Sequence, residues 1–250
     1  MQARVRDISP ADLADVLKRG LSDFAEKPSH VVFLVLIYPV IGLALARLAF
    51  GYEVLPLLYP LAAGFALLGP LASVGLYELS RRREKGLSTR WAEVFWTLRQ
   101  KPARPVLALG AMLLVLFMAW IAAAQGIYWL SFGNTAPESL AAFVTEVFTT
   151  ERGWTLLIAG NAVGFVFAAI AFAISVVSFP MVLDREVGAL VAVQTSVAAC
   201  VANPLTMALW ALIVAVCLAI GSALFFAGLA IVLPILGHAT WHLYRKLLGE

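Results

Sequence analysis

Residues 105–130 read PVLALGAMLLVLFMAWIAAAQGIYWL, an uninterrupted run without a single acid or base. A helix needs about 20 apolar residues to cross the hydrocarbon core, because every backbone group must find its partner within the segment. A soluble helix of this length would carry a polar face, and here only Gln125 is strongly polar. The stretch therefore reads as a transmembrane helix.

The same test picks out residues 31–50, 54–77 and 154–183. The apolar stretch that follows Asn203-Pro204 is too long for one crossing and suits two, 204–221 and 223–243, with a tight turn near Gly221 and Ser222. The expected fold is an all-α polytopic bundle of six transmembrane helices. The first apolar run opens near His30 after a polar segment, residues 1–29, and reads as a span rather than a cleavable signal.

Composition agrees with this. The chain of 250 residues is 62% hydrophobic and only 13% charged, against roughly 25% charged in a soluble domain. Its net charge of +3 does not point to nucleic acid, because the bases cluster beside apolar runs rather than along one solvated face. Cys200 and Cys217 lie in apolar or interfacial sequence and form neither a disulfide framework nor a paired ligand motif.

The bases also set the orientation. Arg4, Arg6, Lys18, Arg19 and Lys27 precede the first span, Arg81 to Arg104 fill the loop between the second and third, and Arg245 and Lys246 close the chain. The opposite side has only Arg152, with Arg47 near the end of span one. The positive-inside rule places both termini in the cytoplasm, which needs an even number of spans.

Between the spans lie helices expected to rest on the cytoplasmic face. Ser9-Pro10-Ala11-Asp12 reads as an N-cap, a proline in the first turn and an acid at N3. Leu13, Val16, Leu17, Leu21 and Phe24 then share one face. A second surface helix follows Ser88, with Trp91, Val94, Phe95 and Leu98 as its stripe, and a third spans 187–201 with Leu190, Val191, Gln194 and Val197 or Ala198 in register. Each runs into a proline pair (Lys27-Pro28, Lys101-Pro102, Asn203-Pro204) that turns the chain into the bilayer. The closing half of each following hairpin carries its own proline, in Gly69-Pro70, Phe179-Pro180 and Leu233-Pro234. This pattern is that of a threefold repeat of surface helix plus hairpin. The opposite loop, 131–153, holds a short amphipathic helix through Leu140, Phe143, Val144, Val147 and Phe148, with Thr135-Ala136-Pro137-Glu138 as its capping box.

Few residues could carry chemistry. His238 and His242 stand at i, i+4 on one helical face, a spacing used by helical metal and haem ligands, and His30 would join them if the first and last spans pack together. The pair lacks the intervening glutamate of a zinc-protease motif. The alternative is interfacial histidines bonded to neighbouring helices or headgroups. Asp184-Arg185-Glu186 reads as a salt-linked helix end. No catalytic group and no cofactor is expected.

Several motifs together give the chain a family resemblance. These are Ile8-Ser9-Pro10-Ala11-Asp12-Leu13, Tyr38-Pro39-Val40-Ile41-Gly42, Leu68-Gly69-Pro70-Leu71-Ala72 leading to Leu76-Tyr77-Glu78-Leu79-Ser80-Arg81-Arg82-Arg83, Ser178-Phe179-Pro180-Met181-Val182-Leu183-Asp184-Arg185, and Gly237-His238-Ala239-Thr240-Trp241-His242-Leu243-Tyr244-Arg245. With them the chain resembles a bacterial family of predicted integral membrane proteins of uncharacterised function. The resemblance implies an inner-membrane location and six spans, and brings no activity or cofactor. The expected function is a non-enzymatic scaffold, lipid-surface organiser or accessory protein, with membrane lipid, anionic headgroups and a membrane protein as the partner classes. A small-solute channel or transporter and a metal- or haem-binding protein are the alternatives.

Overall fold

The computed structural model describes residues 5–26, 55–100, 103–134, 136–223 and 227–249. Every regular element among them is helical. The first expected span, 31–50, with Arg47 and the neighbouring His30, lies outside the described residues.

Helix α1 covers Pro10–Glu26. The backbone N–H and the hydroxyl of Ser9 both donate to the Asp12 carboxylate, at 2.9 and 2.8 Å, so the N-terminus forms as the Ser-Pro-x-Asp pattern requires. Next come α2 (Leu55–Phe65), a 3-10 turn at Ala66–Leu68, α3 (Gly69–Ala72) and α4 (Val74–Glu84). The breaks cluster around Gly69-Pro70, where proline removes a backbone donor and crowds the preceding turn. Gly86, at φ 65°, ends α4 in the left-handed conformation.

Helix α5 is Trp91–Gln100 and α6 is Ala103–Phe132. In the short helix α7, Leu140–Thr149, the cap is Ser139, whose hydroxyl accepts from the N–H of Ala142 at 3.1 Å. The helix thus starts later than the Thr135 capping box implies. Helix α8, Glu151–Ser175, is separated from α9, Ser178–Asp184, by a break at Val176 and Val177. Pro180 lies four residues beyond Val176 and cannot donate to its carbonyl. Within this break the Val177 N–H donates to the Ser196 hydroxyl at 3.1 Å.

Helix α10 is Ala189–Ala202, α11 is Pro204–Ala223 and α12 is Leu229–Leu248. The last helix begins at Leu229, further along the chain than the turn near Gly221 suggested. Gly221 and Gly228 instead face each other across the pair: a Cβ on Gly228 would lie 2.8 Å from the Gly221 Cα.

Four stretches among the described residues are long and apolar enough to cross a membrane: Leu55–Glu84, Ala103–Phe132, Glu151–Asp184 and Pro204–Ala223. Helix α12 has a crossing length, but it carries His238, His242, Arg245 and Lys246 and is largely buried.

The chain divides into two compact units. In one, α12 is the centre: α1, α4, α9 and α11 all pack on it, α5 packs on α4, and α10 packs on α9 and α11. The other unit holds α2, α7 and the parts of α6 and α8 between residues 112 and 171. There Trp120 donates to the Pro60 carbonyl at 2.9 Å and Tyr59 to Asn161 at 2.9 Å. Tyr128, Phe132 and Val147 form a small core with Phe143.

One surface helix buries a different face from the one expected. In α10 the buried residues are Ala192, Thr195, Ser196 and Ala199, while Leu190 and Val201 are exposed. Lipid is as apolar as leucine, so close helix contact selects small and polar residues and leaves the large ones outside. In α5 the expected stripe is largely kept: Val94 is buried and Trp91 and Leu98 are half-buried, while Phe95 is exposed.

Candidate functional site

The seam by which α1 seats on α12 runs Leu13, Val16, Gly20, Asp23, with Leu21 turned out. Gly20 permits a close approach: a Cβ there would lie 2.7 Å from the backbone nitrogen of Ala239 and 2.8 Å from the carbonyl of Ile235. That approach brings Asp23, 5% exposed, between α4 and α12.

Asp23 is a hub for three helices. One carboxylate oxygen accepts from Arg83 of α4, which also pairs with Glu26 at 2.6 Å. The other accepts from the Ser80 hydroxyl and from Nε2 of His242, the latter at 3.0 Å. Nδ1 of His238 lies 2.7 Å from Ser80 Oγ and 3.8 Å from the same carboxylate oxygen. Burial pushes the Asp23 carboxyl up, but the hydrogen bonds from His242 and Ser80 outweigh it and hold it down at about 2.

Proton bookkeeping then fixes the roles. An ionised Asp23 only accepts, so the single hydroxyl hydrogen of Ser80 goes to it, and Nδ1 of His238 must donate to Ser80. Nε2 of His238 is the acceptor of a neutral ring, and it is buried without a hydrogen-bond partner among the described residues. This is the reverse of a serine nucleophile, whose proton goes to the imidazole. The cavity between Asp23, Ser80, Arg83 and His238 measures about 10 Å³, enough for one water at most. The cluster is therefore a joint, with no space for a substrate.

A second hub is Asp184 at the end of α9. It accepts from Arg81 of α4 at 3.2 Å, and from the Tyr244 hydroxyl and Arg245 of α12 at 2.9 and 3.3 Å. Arg245 and the indole of Trp241 also reach Glu84, both at 3.1 Å. The salt-linked helix end expected at Asp184 is thus a three-helix junction.

Asn203 is a third tie. Its amide accepts from Ile8 N–H at 2.8 Å and donates to the Arg6 carbonyl at 3.1 Å, while Thr206 donates to the Ile8 carbonyl at 3.0 Å. Nearby Lys246 bonds Asp12 and Asp15 at 2.8 and 3.0 Å. Its ammonium holds both carboxyls below their ordinary range, and they in turn raise Lys246.

A family model described as predicted integral membrane protein (DUF2189) matches residues 57–184, about half of the chain. The protein belongs to this family. It is an integral membrane protein with several apolar helices. No curated protein and no solved structure matches it. In this DUF2189 protein the matched residues include the Gly69-Pro70 and Phe179-Pro180 motifs and Asp184, whereas α1 and the His238 motif lie beyond them.

Of the three histidines singled out as metal ligands, His238 and His242 converge on one oxygen of Asp23, and His30 lies outside the described residues. Among the described residues no three His, Cys, Asp or Glu side chains are grouped to hold a metal ion. Asp23, Ser80 and Asn203 organise the clusters, and sequence reasoning missed their roles. For Asp23 the available signal was position, since it continues the 13-16-20 seam as an acid on a buried stripe.

Proposed function

We propose that the protein is a non-enzymatic platform of the bacterial cytoplasmic membrane, crossing it six times with both termini inside, built from three repeats of surface helix and hairpin. The proline-led closing helices α4, α9 and α12 pack on one another. Surface helix α5 packs on α4, α10 on α9, and α1 on α12. Each surface helix therefore sits on the closing helix of the preceding repeat, and the first of them takes its place against the last. That cyclic order supports a threefold design.

The observation that carries the functional reading is what the charged groups do. Asp23, Asp184, Glu84, Arg81, Arg83, Arg245, His242 and Lys246 all join one helix to another. Joints of this kind make a rigid face from helices that would otherwise float at the interface, which suits presentation of a surface rather than alternating access.

Two measurements test it. With Cys200 and Cys217 replaced by alanine, Ala25→Cys should react with an impermeant maleimide only from the cytoplasmic side, and Glu138→Cys only from the other. The reverse pattern, or both on one side, refutes the topology. Purified protein in vesicles should pass ions and small solutes no faster than protein-free vesicles. Flux above that background would replace the platform with a channel or transporter.

A further inference from the structure

The loop bases fall into two groups. Arg81, Arg82, Arg83 and Lys85 each reach an acid: Glu78 and Asp184, Glu93, Asp23 and Glu26, and Asp184. Arg90, Arg99 and Arg104 are exposed and have no acidic partner among the described residues. Arg90 directly precedes α5, Arg99 stands in its last turn and Arg104 in the first turn of α6, and on α5 Phe95 and Trp96 are 59% and 64% exposed. Beside these aromatics runs an open groove of about 540 Å³ lined by Ala92, Phe95, Trp96, Leu98, Arg99 and Ala103.

We infer that this groove is a binding site for one anionic phospholipid, its acyl chain against Phe95, Trp96 and Leu98 and its phosphate at Arg99 and Arg104. The inference rests on the platform reading, which lays α5 along the cytoplasmic interface. The chemistry of the groove is that of an interface: apolar and aromatic side chains beside unpaired guanidinium groups. Arg82 holds the helix for this purpose, donating to the Ser88 carbonyl at 2.5 Å, Glu93 at 2.6 Å and Thr97 at 2.9 Å. Its inner face is thereby fixed to α4, and the aromatic face is left for lipid. Guanidinium suits a phosphate because its donors match the oxygens in pairs.

The test is quenching of Trp96 fluorescence in the full chain, reconstituted in phosphatidylcholine vesicles that contain brominated phosphatidylglycerol or brominated phosphatidylcholine. The Trp96 contribution is the difference from Trp96→Phe. At equal mole fraction the anionic lipid should quench more strongly, with a preference of roughly fivefold for each participating arginine at low salt. In Arg99→Gln/Arg104→Gln the preference should fall close to one, while quenching by the zwitterionic lipid persists. Both arginines are exposed, so the double variant should fold. Equal quenching by the two lipids in the wild type, or a preference that survives in the variant, overturns the site and leaves the platform standing. A Trp96 untouched by either lipid overturns the interfacial position of α5, and the platform reading falls with the site.

Discussion

Replacing Asp23 by asparagine keeps the size of the side chain and removes its charge, so it isolates what holds α1 to α4 and α12. The depression of the carboxyl from 3.8 to about 2 corresponds to roughly 2 kcal/mol favouring the ionised, bonded form. Breaking a buried ion pair by removing one partner costs about 3–5 kcal/mol, because the other partner is left uncompensated. Here Arg83 keeps Glu26 at 2.6 Å and is a third exposed, which places the loss near the lower end, about 3 kcal/mol. Local opening of α1 should then become on the order of a hundredfold more frequent. Amide hydrogen exchange at pH 7 measures this directly, with α1 as the reporter and α7 as an internal control. Unchanged α1 protection would refute the hub. Equal loosening of α7 would show general destabilisation rather than release of one helix.

Three further outcomes follow from the same contacts. The Asp23 carboxyl is depressed in the folded state, so its stabilisation is complete above its unfolded value near 4 and is lost as pH falls through about 2; on its account α1 protection should be flat from pH 5 to 8 and collapse only below about 4. In Gly20→Ala the new methyl meets the Ala239 backbone, and overpacking at an unyielding contact costs about 1–3 kcal/mol, so trypsin should cut at Lys18 and Arg19 faster than in the wild type; an unchanged rate would mean that α1 does not seat there. In Asn203→Ala the Ile8 N–H and Arg6 carbonyl lose their partner, at about 2 kcal/mol, and cleavage after Arg6 should accelerate while cleavage after Arg19 does not.

Local patterns were legible in the sequence where the physics is local. The Ser9-Pro10-Asp12 start of α1 was readable, because capping acts within one turn, whereas the spans 54–77 and 154–183 were read straight through Gly69-Pro70 and Pro180, where the helices break, and Pro234 of the same pattern lies inside an unbroken helix. The i, i+4 spacing of His238 and His242 correctly set both rings on one face. Their common partner is more than two hundred residues away in the chain, and nothing near either histidine names it. Asn203 looked like a helix stop and is one, yet its amide also fastens residues 6 and 8. The buried face of α10 was missed for a different reason. Leu190 and Val197 of its stripe would point inward in water, and they are exposed here because Ala192, Thr195, Ser196 and Ala199 make the contact.

The two kinds of joint depend on each other. Gly20 brings α1 close enough to α12 that no side chain fits between the backbones, and that approach seats Asp23 beside Ser80 and His242. Conversely, a glycine contact has no directional preference, and α1 could slide along α12 if dispersion alone held it. The carboxylate of Asp23, with fixed donors on two helices, supplies register. Asp184 does the same where α4, α9 and α12 meet. Two acids, one on the first surface helix and one at the end of a closing helix, thus set the position of the helices around α12. Gly20→Ala and Asp23→Asn share this single joint, so their effects should be less than additive: once α1 has been lifted by the methyl group, Asp23 has no contacts left to lose. Additivity in a double-variant cycle would show that the seam and the hub act separately.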